Sequence, residues 1–113
     1  MDTLLALTNL PDHAAAERLA RALVERRLAA CVNVLAPCRS VYHWQGRIET
    51  ADEVTLLIKT TGTQYASLQQ AILDLHPYEL PEIIAVPVSH GLTAYLDWIT
   101  AQTGAAAGAG GVA

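Results

Sequence analysis

The spacing of apolar residues along the chain alternates between a pattern typical of strands and a pattern typical of helices. Continuous or alternating apolar runs predict extended segments at 3–7, 31–35, 40–44, 53–60 and 83–88. Spacings of three and four residues predict a first helix from Asp12 to Arg27 and two more over 65–75 and 92–99. Asp12 is the expected N-cap of the first helix, and Gln45-Gly46 is the expected turn of a long hairpin.

The order of these elements predicts an α+β fold. The segments at 31–35 and 40–44 count as one strand that Pro37 interrupts, so the order is β-α-β-β-α-β, followed by a short C-terminal helix. This order is typical of ferredoxin-like folds, in which two helices cover one face of an antiparallel sheet. The 113 residues suffice for one domain, which we assign to 1–103. Residues 104–113 contain only Gly, Ala and Val, so we expect this tail to be disordered.

The second face of such a sheet has no helix to cover it. Tyr42 and Trp44 share one side of their extended segment, and Leu57 interrupts the polar side of the next one. Because uncovered apolar sheet surface normally marks an interface, we expect an obligate oligomer.

A short polar stretch, HPYELPEII at 76–84, stands out between the second helix and the last strand. Pro77 tends to end the preceding helix at His76, and Pro81 stiffens the approach to the strand. The loop is therefore either a stiff connector or a scaffold that holds His76, Tyr78 and Glu79 in a fixed arrangement.

Composition excludes some partners. A formal net charge of -4 and a single lysine, Lys59, offer little attraction for nucleic acid. Cys31 and Cys38 are too few for a disulfide framework and suit a reducing compartment. We find neither a secretory signal nor a membrane span in the sequence, and expect a cytoplasmic protein without membrane association.

Motifs of common enzyme classes are missing from the sequence. It contains no glycine-rich phosphate loop, no Gly-x-Ser-x-Gly elbow and no His-Glu-x-x-His zinc helix. A Cys31 nucleophile with His76 as its base would require the two side chains to meet in the fold. We therefore do not expect an enzyme.

Several separate blocks of sequence resemble those of the CutA divalent-cation-tolerance family. The matching blocks are ACVNV at 30–34, SVYHWQGRIE at 40–49, LIKT at 57–60, HPYELPEII at 76–84 and YLDWI at 95–99. The resemblance extends from about Leu4 to Thr100. It implies a ferredoxin-like homotrimer in which strands pair across subunits, and a role in tolerance of copper and other metals. The family's fold and trimeric form are also similar to those of PII signalling proteins.

The resemblance implies a copper site at Cys31 and His76, since thiolate and imidazole both bind copper well. Some relatives carry a further cysteine and a further histidine where this chain has Thr8 and Leu75, so we expect weak binding, with Cys38 as a candidate substitute ligand. The alternatives are that Cys31 is a small buried apolar residue and that His76 hydrogen-bonds the last carbonyls of its helix.

Two further groups of residues complete the predicted sites. We expect Tyr78 and Glu79 to line a ligand cleft, with Lys59 as the partner of Glu79 or Glu49 in an ion pair. We assign Tyr42, Trp44, Gln45 and Gly46 to the trimer interface, with the tryptophan as an aromatic anchor. The alternative function is a PII-like trimer that binds an unknown small-molecule effector or protein and has no metal chemistry.

Overall fold

The computed structural model describes residues 2–104 as five strands and three helices. Of the tail predicted to be disordered, all but Gly104 lies outside the described residues. The elements in chain order are β1 (Thr3–Leu10), α1 (His13–Glu25), β2 (Cys31–Val34), β3 (Cys38–Trp44), β4 (Arg47–Thr61), α2 (Tyr65–Leu75), β5 (Ile84–Pro87) and α3 (Thr93–Gln102).

The sheet is built around β4, its longest strand. The second half of β4 lies between β2 and β1, and β5 pairs with the far side of β1. The first half of β4 pairs with β3, so these two strands form a hairpin that continues beyond the sheet. Every strand pair is antiparallel, which confirms the predicted α+β order, with β2 and β3 as successive partners of one long strand.

Alternation along the strands separates a helix-covered face from an open face. On the covered face, β1 and β4 contribute Ala6, Leu10, Leu56 and Ile58, which are almost fully buried in one core cluster. The helices complete that cluster with residues from α1 and α2: Ala16, Leu19, Leu23, Leu68 and Ile72. The apolar spacing that predicts the first two helices therefore selects the side chains that cover this face.

The predicted cap of α1 is present, but its C-terminal boundary differs from the prediction. The Asp12 carboxylate accepts a hydrogen bond from the backbone N–H of Ala15 at 2.8 Å. The helix ends at Glu25 rather than Arg27, because Arg27 adopts a left-handed conformation with φ 59° and turns the chain toward β2. Helical spacing alone does not reveal such a turn.

The Gln45-Gly46 turn between β3 and β4 has the expected geometry. Trp44 pairs directly with Arg47, and the two residues between them have φ 51° and 79°. Positive φ at both central residues is the feature of the tight turns that match strand twist, and the second position suits glycine.

The open face of the sheet is more apolar than simple alternation predicts. Leu7 on β1 pairs with Leu57 on β4 on one side and with Ile84 on β5 on the other side. Ile84 and its neighbour on the same face, Val86, are about half exposed. An apolar strip thus crosses three strands of this face.

Candidate ligand cleft

The loop that follows α2 begins at His76 as predicted. The backbone N–H of His76 donates to the Ile72 carbonyl at 2.8 Å, and the residue then turns to an extended conformation before Pro77. The peptide therefore leaves the helix toward the end of β1 instead of continuing along the helix axis.

The His76 ring bridges the loop and the sheet. Its Nε2–H donates to the Asn9 carbonyl at 2.7 Å, and its Nδ1 accepts from the backbone N–H of Tyr78 at 3.1 Å. These two bonds define a neutral imidazole with both nitrogens engaged. Burial lowers the pKa of His76 below its usual 6.5, opposed in part by the Asn9 bond and the charge of Glu53. The alternative interpretation, in which His76 hydrogen-bonds the last carbonyls of α2, is wrong, because the ring bonds to the Asn9 carbonyl.

Tyr78 links the same loop to β4. Its hydroxyl donates to Glu53 Oε2 at 3.0 Å, and its ring lies 4.8 Å from the His76 ring between centroids. Burial, followed by the hydrogen bond to Glu53 and the charge of that carboxylate, raises the pKa of Tyr78 to about 12. Tyr78 is therefore a neutral hydrogen-bond donor at any ordinary pH.

A second set of hydrogen bonds fixes the far end of the loop. Asn9 Nδ2 donates to Glu82 Oε1 at 3.2 Å, and Asn9 Oδ1 accepts from the Thr55 hydroxyl at 2.6 Å. The end of β1 thus contacts both ends of the loop, through its carbonyl at His76 and its side chain at Glu82.

A cleft of about 910 Å³ lies between this loop and the β3–β4 hairpin. Tyr42 and Trp44 form one wall, and Pro77, Leu80 and Pro81 form the other. Carboxylates from both sides also line it, namely those of Glu53, Glu79 and Glu82. The structure therefore brings the predicted cleft residues Tyr78 and Glu79 together with two residues that we assigned to assembly.

Cys31 lies elsewhere on the sheet. It pairs with Lys59 on β4, whereas Asn9, which the His76 ring contacts, pairs with Thr55 on the opposite side of β4. Four residues of strand span about 13 Å, and two strand spacings add almost 10 Å across the sheet. Within one chain, Cys31 and His76 cannot share a metal ion or act as a nucleophile and its base.

The predicted ion pairs of Lys59 with Glu79 or Glu49 are not formed among residues 2–104. The Lys59 ammonium donates to Asn33 Oδ1 at 2.5 Å and lies 3.9 Å from Cys31 Sγ, on the open face. Glu49 is ten residues away along β4, beside Arg47 at 3.8 Å, and neither Glu49 nor Lys59 lines the cleft. Glu79 is exposed at the cleft, away from the strand positions that Lys59 can reach.

The sequence interpretation missed Glu53 and Asn9 as site residues. Alternation placed Glu53 on a solvated strand face, yet it is 8% exposed because Tyr78 closes over it. No signal in the sequence marked Glu53, because it occupies a polar position in the alternation that continues through Val54, Leu56 and Ile58. Asn9 gave no signal, because its side chain becomes important only when the loop from residue 76 reaches β1.

No group of three or more His, Cys, Asp or Glu side chains in residues 2–104 is arranged to hold a metal ion. Within the same range, no helix is long and apolar enough to cross a membrane. The donors that could contribute to a copper site, Cys31 and His76, are separated as described above.

Fold and site together define a small α+β protein with an antiparallel sheet, three helices among residues 2–104 and a cleft that extends along a projecting hairpin. Residues 4–102 match the family model described as CutA1 divalent ion tolerance protein. The chain therefore belongs to the CutA1 family, as the sequence blocks indicated.

Individual relatives agree with this assignment. The divalent-cation tolerance protein CutA of Thermus thermophilus is 43% identical over 100 residues, which cover 88% of this chain and 97% of the relative. The crystal structure of CutA from Xylella fastidiosa, at 46% identity, superimposes with a TM-score of 0.89 and covers 92% of this chain and 100% of that one. CutA1 from Oryza sativa gives a TM-score of 0.90 at 33% identity, covering 93% and 96%.

Proposed function

We propose that the protein is a non-enzymatic homotrimer that contributes to divalent-cation tolerance, the property for which its family is named. The observation that supports assembly is the apolar strip on the open sheet face, where Ile84 and Val86 are 52% and 47% exposed in a single chain. Apolar surface of this extent favours burial against another copy. Two unpaired cysteines suit the cytoplasm as its location.

Copper binding, in this proposal, is weak and uses ligands from more than one chain. Cys31 and His76 are the best copper ligands by chemistry, but one chain holds them too far apart to meet at one ion. Copper at His76 would also have to displace a hydrogen bond from one ring nitrogen. Both features favour a dissociation constant of about 1 μM or higher. A carboxylate or water would complete the coordination shell of the copper ion.

The test is a calorimetric titration of Cu²⁺ at fixed pH into the wild type, Cys31→Ser and His76→Ala. We expect both variants to weaken binding, and we expect binding to weaken as pH falls, because copper requires the unprotonated imidazole and thiolate. His13→Ala and His90→Ala are the matched controls. If the control variants lose copper while His76→Ala retains it, the ion binds elsewhere and the loop is only a connector.

A second candidate function is supported by the cleft. A concave site of about 910 Å³, with aromatic walls and a few convergent polar groups, has the size and character of a small-molecule site. In this alternative the protein is a PII-like effector-binding or protein-regulating module with no metal chemistry. A thermal-shift comparison of metabolites and nucleotides with divalent metals separates the two candidates, because only the true ligand class raises Tm in proportion to its affinity.

A further inference from the structure

A thiol and a primary amine lie side by side on the sheet, away from the cleft. Cys31 on β2 is directly opposite Lys59 on β4, and the backbone N–H of Ala30 donates to the Lys59 carbonyl at 2.9 Å. Residues opposite each other in an antiparallel pair hold their Cβ atoms about 5 Å apart. Cys31 Sγ lies 3.9 Å from Lys59 Nζ. The strand register therefore keeps these two groups within reach of each other.

The lysine is held over the thiol by a second residue of β2. Its ammonium donates to Asn33 Oδ1 at 2.5 Å, and no carboxylate among residues 2–104 lies within 4.0 Å of it. Asn33 follows Cys31 by two positions, so both side chains leave the strand on the same face. Lys59 is also the only lysine of the chain. The one amine side chain is thus placed beside one of the two thiols.

The other cysteine provides an internal comparison. Cys38 on β3 lies opposite Glu53, and its Sγ is 3.8 Å from the Thr55 hydroxyl. Both cysteines are free thiols, and Cys38 is the more exposed of the two. Exposure alone would favour chemistry at Cys38, whereas a neighbouring amine favours chemistry at Cys31.

The Cys31–Lys59 pair lies apart from the apolar strip that we expect a second copy to cover. The strip crosses β4, β1 and β5 at Leu57, Leu7 and Ile84, whereas Cys31 lies on β2, at the opposite edge of the sheet. Cys31 is half-buried in the single chain. A reagent that reaches it must therefore be small, and hydrogen peroxide is both small and uncharged.

Hydrogen peroxide can join these two groups in two balanced steps. The thiol first reacts with one peroxide to give a sulfenic acid and water, so sulfur is oxidised and peroxide is reduced. A sulfenic acid condenses with a nearby nitrogen to form a sulfenamide. Here the amine, after losing one proton to solvent, attacks the sulfur. The S–N bond forms, the S–O bond breaks, and the hydroxyl leaves as water with a second proton from the amine.

We propose that Cys31 and Lys59 form a redox modification site, in which hydrogen peroxide links Sγ to Nζ as a sulfenamide. The link connects the edge strand β2 to β4 and removes both the thiol and the only lysine charge from this face. Two molecules of a small thiol reverse it, because they are oxidised to a disulfide while the cysteine thiol and the amine are restored. The inference goes beyond the proposed function and requires neither copper nor the cleft.

The experiment treats the wild-type protein with hydrogen peroxide in the presence of a metal chelator, blocks the remaining thiols and digests with trypsin without reduction. Trypsin cuts after Arg27 and Arg39 but not after a modified lysine, so the link joins peptide 28–39 to the peptide that begins at Ile48. We expect mass spectrometry to show this pair, lighter by two hydrogens than its two peptides together, and to lose it after dithiothreitol. A Cys31 that stays a thiol, forms a disulfide with Cys38 or ends as a sulfinic acid without the link would overturn the proposal.

Three variants assign the chemistry to the pair. Lys59→Arg keeps the positive charge without a primary amine, so we expect no link and more sulfinic acid at Cys31 than in the wild type. Cys38→Ser is the matched control and should give the link at unchanged yield, because Cys38 contacts a hydroxyl and no amine. Asn33→Ala releases the ammonium and should slow linking by about threefold or more.

The Lys59→Arg variant also separates this proposal from the copper proposal. It leaves Cys31 and His76 unchanged, so its copper titration reports metal binding alone. Equal amounts of sulfinic acid at Cys31 in the wild type and in Lys59→Arg would show that the lysine does not intercept the sulfenic acid. That result would overturn the cross-link and leave the copper proposal standing.

Discussion

At the scale of single residues, Thr8 shows what a polar side chain costs in this core. It is fully buried on the helix-covered face of β1, and its hydroxyl is the one buried side-chain polar atom in residues 2–104 without a hydrogen-bond partner. Thr60 on β4 is equally buried, but its hydroxyl donates to the Leu28 carbonyl at 2.7 Å. The two threonines are therefore equally buried and differ in whether the hydroxyl has a hydrogen-bond partner.

We expect Thr8→Val to raise the free energy of unfolding by about 1 kcal/mol, because it removes an unsatisfied hydroxyl at nearly constant volume. Thr60→Val, the matched control, should lower it by about 1 kcal/mol, because it leaves the Leu28 carbonyl without its donor. Urea denaturation at one protein concentration measures both values. Equal destabilisation by the two changes would mean that Thr8 has a partner.

His76 gives stability a pH dependence whose sign follows from its neutral form. Burial lowers the pKa of His76 in the folded state, so the unfolded chain takes up the proton first as the pH falls. Stability from this group is present above about pH 6.5 and declines as the pH falls below that value. Urea midpoints between about pH 7.5 and 5.5 should show the decline in the wild type and much less of it in His76→Gln.

The matched control for this pH series is His90→Gln. His90 is exposed and its ring contacts the neighbouring Ser89, so its removal should leave the slope unchanged. If the slope persists in His76→Gln and disappears in His90→Gln, His90 and not His76 causes the pH dependence.

At the scale of elements, the hairpin depends on its tip. Gly46 has φ 79°, and a Cβ atom at that position would meet nothing within 4 Å. Replacement by alanine therefore carries only the backbone penalty of a left-handed conformation, about 1 kcal/mol. Gly62 is the matched control position. Its φ lies outside the left-handed region, and the atom nearest to an added Cβ would be 3.9 Å away.

We expect Gly46→Ala to speed amide hydrogen exchange in β3 and the first half of β4, and Gly62→Ala to leave that exchange unchanged. The second half of β4 should remain protected in both variants, because it pairs on both sides with β1 and β2. Uniform acceleration across the whole of β4 would show that the hairpin and the sheet open as one unit.

At the scale of the whole molecule, the open sheet face and the hairpin are the surfaces that we expect a trimer to bury. Light scattering on a sizing column should give about three times the chain mass of 12.1 kDa. Val86→Lys places a charge in the apolar strip and should shift the protein toward monomer, since an unpaired buried charge is strongly unfavourable. Lys substitution at exposed Thr93, outside the strip, is the control, and a wild-type monomer would contradict the prediction outright.

Trp44→Ala and Trp98→Ala refine this test. We assigned Trp44 to the interface, and expect its removal to speed subunit exchange more than removal of Trp98, which stacks on Tyr95 at 5.5 Å within α3. Equal effects on exchange would place Trp98 in the interface as well.

The sequence by itself determined the order of elements, the side chains that form the helix-covered core and the turn at Gln45-Gly46, because these depend on local periodicity and on backbone preferences of single residues. The family followed from several blocks of sequence in a fixed order. The tertiary structure decided the site. Only the fold shows that Cys31 and His76 lie on opposite sides of β4, that Lys59 contacts Asn33, and that Tyr78 closes over Glu53. These contacts join residues distant in sequence, and short-range patterns carry no information about which distant groups the packing brings together.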